Sequence, residues 1–64
     1  MIYEIERQMV KVKKDIQDLE IIYDYLVNKA PSPDEDEIRR IGEELENKRF
    51  KYMELLEKYD EELR

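Results

Sequence analysis

Eighteen carboxylates, with no histidine and no cysteine, limit the chemistry open to this chain. Without Cys there is no disulfide and no thiolate metal site. Without His the commonest metal ligand and the usual general base are both missing. The densest acidic run is Asp34-Glu35-Asp36-Glu37. A calcium loop would need alternating ligands, a central Gly and a distant Glu, and this run has none of them. Di-metal helical bundles use Glu-x-x-His pairs on facing helices, and the chain cannot supply them. Acid–base catalysis needs a pocket that shifts a pKa, and no such pocket is expected in an evenly packed rod. The expectation is a protein that is not an enzyme, with no catalytic residue, no cofactor and no metal.

The acidic run has a structural use instead. Ser32-Pro33-Asp34-Glu35 reads as a helix start, with Ser32 as N-cap, Pro33 at the first helical position and Glu35 closing a capping box. The four acids then sit at the positive end of the helix dipole. Ahead of them, Ala30-Pro31 ends a preceding helix, because a proline disfavours helical backbone at the residue before it. Asn28 or Lys29 would take the C-terminal cap, with Asn able to adopt left-handed geometry.

Apolar residues define the elements on either side of this break. Ile2, Ile5, Met9, Val12, Ile16, Leu19, Tyr23 and Leu26 repeat at alternating spacings of three and four, an a/d seam. Ile38, Ile41, Leu45, Tyr52, Leu55 and Tyr59 form a second, with Leu56 and Leu63 widening it. The chain is thus expected to be one all-α domain over residues 1–64. Helix 1 covers about residues 3–28, a loop about 29–32 and helix 2 about 33–63. The short loop makes the helices antiparallel neighbours. Folding at residues 30–31 pairs Tyr23 with Ile38, Leu19 with Ile41 and Gly42, and Ile16 with Leu45. It also pairs Met9 with Tyr52, Ile5 with Leu55 and Leu56, and Ile2 with Tyr59. Gly42, the single glycine, would mark a close approach at the level of Leu19.

Sixty-four residues give little interior, and small scaffolds lacking disulfides or metals commonly oligomerise. The stripe on helix 2 is wider than one neighbour requires. Two hairpins are therefore expected to associate, as a homodimer first, into a four-helix bundle or coiled-coil-like assembly. The residues expected at the interface are Ile5, Met9, Val12, Ile16, Leu19, Ile22, Tyr23, Leu26, Ile38, Ile41, Leu45, Arg49, Tyr52, Leu56, Tyr59 and Leu63. Ile22, Tyr25 and Val27 cannot all face helix 2 and await another subunit. Tyr3, Val10, Phe50 and Met53 form a second apolar patch off the seam. Lys48 falls on a seam position with Arg49 beside it, either snorkelling to water or forming a polar layer that fixes register. With Lys11, Lys13, Lys14 and Lys51 these residues make a basic belt, suited to acids such as Glu43, Glu44 and Glu46 on a neighbour.

The net charge of −6 disfavours nucleic acid as a partner. No apolar run reaches the length of a membrane span. No signal peptide is visible in residues 1–10, so the cytoplasm is the default location. The partners expected are a second copy of the chain or another helical protein.

The hairpin layout resembles the small RNA-binding hairpin dimer that controls plasmid copy number, in architecture and without a shared local motif. Gly42-Glu43-Glu44-Leu45-Glu46, followed by Tyr52, resembles the Ser-Gln-Glu-Leu-Asp…Tyr signature of the aspartyl-phosphate phosphatases of sporulation control, which are also helical hairpins. Glu44, Leu45 and Tyr52 are identical. Gly42 stands where that family has Ser, and Glu46 where it has Asp. This resemblance would imply a small regulatory hairpin that binds another protein, with phosphatase activity near Glu44. The uninterrupted seam, heavy surface charge and absence of Cys, His and Trp also follow design practice, so the pattern suits a de novo protein as well as a natural one.

Overall fold

A computed structural model describes residues 2–64 as two antiparallel helices. α1 spans Ile2–Asp24 and continues into a π-helical turn at Tyr25–Lys29, and α2 spans Glu35–Leu63. Among the described residues there is no strand. The Cα extents are 49 × 14 × 13 Å, a rod two helices wide. No described helix is long and apolar enough to cross a membrane.

The end of α1 follows from Pro31. Ala30 is held extended at φ −65° and ψ 132°, as a residue before proline must be. Its N–H donates to the Tyr25 carbonyl at 2.8 Å, closing the wide final turn five residues back. Asn28 does not take the expected left-handed cap, since no described residue has positive φ. Instead its Nδ2 donates to Asp24 Oδ1 at 2.7 Å.

α2 starts two residues later than its sequence suggests. Asp34, not Ser32, is the N-cap. It is extended at φ −92° and ψ 114°, and its side chain accepts from the N–H groups of Asp36 and Glu37. Those bonds measure 2.9 and 3.4 Å. A carboxylate is the stronger acceptor for free N–H groups at the positive end of a helix dipole, which explains why it prevails over the serine hydroxyl. Pro33 thus lies before the cap rather than at the first helical position, and the Ser32–Glu35 capping box does not form.

The later start lengthens the connection and shifts the register by one helical turn. Tyr23 stands opposite Gly42, where Leu19 was expected, and Tyr59 meets Glu6 rather than the level of Ile2. The shift leaves most apolar layers matched, because a slip of four residues returns nearly the same helix face. The core is Val12, Leu26, Ile41, Leu45 and Leu55. Three polar ties flank it. Lys48 Nζ lies 3.3 Å from Asp15 Oδ2, Arg49 Nη2 lies 3.1 Å from Glu20 Oε2, and the Tyr59 hydroxyl donates to Glu6 Oε1 at 3.1 Å.

Two substitutions separate these causes. Asp34→Ala should lower stability by about 1 kcal/mol, the usual effect of losing a cap, whereas Ser32→Ala should stay within about 0.5 kcal/mol of the parent. Urea titrations followed by helical circular dichroism measure both. A Cβ added at Gly42 would meet Tyr23 Cε2 at 3.5 Å, an ordinary contact. Gly42→Ala should therefore raise stability by about 0.5–1 kcal/mol by restricting the unfolded chain, seen as a higher denaturation midpoint at unchanged slope.

Candidate functional site

The residues that could act on another molecule lie on the outside of the rod, and helix periodicity decides which of them share a side. On α1, Glu6, Met9, Lys13, Ile16 and Glu20 recur at three and four residues and form one flank. On α2, Gly42, Glu46, Arg49, Met53 and Leu56 do the same. The Glu20–Arg49 pair joins these two flanks on a single side of the hairpin. Two shallow grooves open on that side. Near the open end the groove is lined by Glu6, Met9, Val10, Lys13, Tyr52 and Tyr59. Toward the loop it is lined by Glu20, Tyr23, Gly42, Leu45, Glu46 and Arg49.

The expected interface residues divide into three groups. Val12, Leu26, Ile41 and Leu45 are buried within the single hairpin. Ile5, Met9, Ile16, Leu19, Ile38, Tyr52 and Tyr59 are half-buried along the line between the helices. Ile22, Tyr23, Arg49, Leu56 and Leu63 are exposed, with Leu56 at 44% and Leu63 at 61%. Tyr25 and Val27 are exposed, as are Tyr3, Val10, Ile21, Phe50 and Met53. Leu55, on the seam but absent from the expected interface, is among the most deeply buried residues at 4%.

The basic belt differs from its sequence reading at two members. Lys48 and Arg49 pair with Asp15 and Glu20 of their own chain rather than remaining available to a neighbour. Such part-exposed pairs contribute about 0.2–1 kcal/mol each, so they align the helices more than they hold them. Lys11, Lys13, Lys14 and Lys51 make no ion pair among the described residues, and neither do Glu43, Glu44 and Glu46.

Among the described residues no cluster of three or more acidic groups is arranged to hold a metal ion. No described buried polar side-chain atom lacks a partner. Among the described residues the one clear electrostatic perturbation is at Tyr59. Its hydrogen bond to the Glu6 carboxylate, then the charge of that carboxylate, then slight desolvation, raise the phenol above its ordinary pKa of 10.0. Glu6 favours the neutral phenol, with Tyr59 as the hydrogen-bond donor. Of the resemblance around Glu44, the structure shows Gly42 against Tyr23 and Leu45 in the core, with Glu44 exposed.

No protein-family model, curated protein or solved structure matches this chain.

The Tyr59 tie has a measurable signature. A raised folded-state pKa means that its stabilising effect is complete below the unfolded value and is lost as pH rises through the folded value. Ultraviolet titration of the five tyrosines should show one phenol ionising after the others, and Tyr59→Phe should remove that late component. Loss of some other component on this substitution would contradict the Glu6–Tyr59 contact.

Proposed function

We propose that the chain is a non-enzymatic helical hairpin that associates with copies of itself, as a homodimer forming a four-helix bundle, and serves as a structural or protein-interaction module. The observation that carries this reading is the disparity between covered and uncovered apolar side chains. Five form the core, while Val10, Met53, Leu56 and Leu63 stand exposed at or beside the grooved flank. Full burial of such a side chain contributes about 1.5–3 kcal/mol. Four on each of two copies, half covered, contribute about 6–12 kcal/mol. Association itself costs about 4–15 kcal/mol. The two are comparable, which makes the assembly dependent on concentration and on which apolar groups meet.

A second reading rests on a different stripe. Tyr3 and Ile21 lie on the side of α1 turned away from α2 and are both exposed. A hairpin that binds another helical protein through this stripe would be the small regulatory module suggested by its resemblances.

Sedimentation equilibrium at micromolar concentration tests the first reading. The expected mass is twice the 8.0 kDa of the chain. Leu56→Asp should shift the equilibrium toward monomer by about tenfold or more while helix content is kept, since a charge would then occupy a desolvated contact. A fully helical monomer at those concentrations, unaffected by Leu56→Asp, would overturn self-association and leave the second reading.

A further inference from the structure

We infer that two copies dock side by side with their loops at opposite ends of the assembly, so that the groove near the open end of each faces the groove near the loop of the other. This rests on the self-association proposed above and specifies its surface and direction.

The charge of the rod is divided lengthwise. With Tyr23 opposite Gly42 and Glu6 opposite Tyr59, the middle of the rod falls at Ile16 and Arg49. The loop half, residues 17–48, has ten acids and four bases, a net −6. The open half, residues 1–16 and 49–64, has eight of each and is neutral. The whole net charge thus belongs to one half. Loops at the same end would place one −6 half against another, and like-charge juxtaposition is what selects against a wrong orientation. Loops at opposite ends place each −6 half against a neutral one.

The grooved side supplies specific pairs as well as the overall balance. Lys13 lies three residues from the middle toward the open end, and Glu46 lies three residues from the middle toward the loop. At 1.5 Å per residue both are about 4.5 Å from the centre. A two-fold axis through the middle, perpendicular to the rod, lays α1 over α1 and α2 over α2, and brings Lys13 of each copy to the height of Glu46 of the other, diagonally across the shared face. Neither side chain has an ion-pair partner within its own chain among the described residues. The same operation lays Met9, Val10 and Tyr52 of one copy over the Tyr23, Gly42 and Leu45 groove of the other. With loops together, Glu20 and Glu46 of each copy would meet Glu20 and Glu46 of the other.

A spin label on Ser32→Cys reports the orientation directly, because the chain has no other cysteine and Ser32 is exposed and does not cap α2. In a sample shown by sedimentation to be dimeric, pulsed dipolar spectroscopy should give a label separation near the 49 Å length of the rod. A separation within about 20 Å, two helix diameters, would overturn the orientation while leaving self-association intact. A monomer at all accessible concentrations would overturn both. Charge exchange supplies a second measurement that needs no label. Lys13→Glu and Glu46→Lys should each weaken the dimer roughly tenfold, two repulsive contacts replacing two attractive ones. Both substitutions together in one chain should restore it, since opposite charges then face each other again with their signs exchanged. Failure of the double variant to recover, with helix content unchanged, would overturn the Lys13–Glu46 pairing.

Discussion

Two helices laid side by side share only one line of contact, and that limit governs this molecule. Each helix is about 10–12 Å across with its side chains and presents a neighbour with little more than a single stripe. Along that stripe the hairpin encloses Val12, Leu26, Ile41, Leu45 and Leu55. Residues one step to either side remain half in water whatever their chemistry, as Met9, Ile16, Tyr52 and Tyr59 show. Apolar residues beyond the stripe have nothing within the chain to cover them. The choice of side chains at this boundary is consistent with the limit. Tyrosine packs its ring and keeps its hydroxyl wet, as Tyr59 does against Glu6.

The limit also explains where the polar ties lie. A wide core would bury charges at a high desolvation penalty, but the flank of a two-helix rod keeps them part exposed. Lys48 with Asp15 and Arg49 with Glu20 therefore span the helices at little penalty and little gain. Their worth is in alignment. A slip of one turn would keep the apolar layers nearly matched, yet it would separate Tyr59 from Glu6 and move Tyr23 away from Gly42. Specific contacts thus discriminate between registers that the apolar layers treat almost alike.

That degeneracy explains what the sequence revealed and what it concealed. The helical class, the antiparallel hairpin and the break at Ala30-Pro31 could all be read from spacing and from proline's effect on its predecessor. The register could not, because it depends on whether α2 begins at Ser32 or Asp34. Both are good caps, and local rules rank Ser-Pro-Asp-Glu highly. The decision came from the carboxylate of Asp34 reaching two N–H groups, a geometric outcome with no periodic signal. The ties at Glu6, Asp15 and Glu20 were missed for the same reason, since each depends on the register. Leu56, Leu63 and the basic belt were legible as surplus to a two-helix seam, although the division of the belt between internal and free members was not.

The lengthwise asymmetry of charge connects these observations to assembly. The acids that start α2 cluster at the loop because a helix N-terminus favours negative groups. Asp24, held by Asn28 and Lys29, adds to them at the end of the first helix. Helix chemistry at the turn accounts for five of the ten acids of the loop half, and Asp18, Glu20, Glu43, Glu44 and Glu46 along the two helices supply the other five. In the proposed pairing of two copies, this charge would distinguish one end of the rod from the other. A nearly symmetric apolar rod has little else with which to choose direction, because its matched layers fit either way. In the proposed dimer apolar area would set the strength of association, and the surplus acids of the loop half would set its direction.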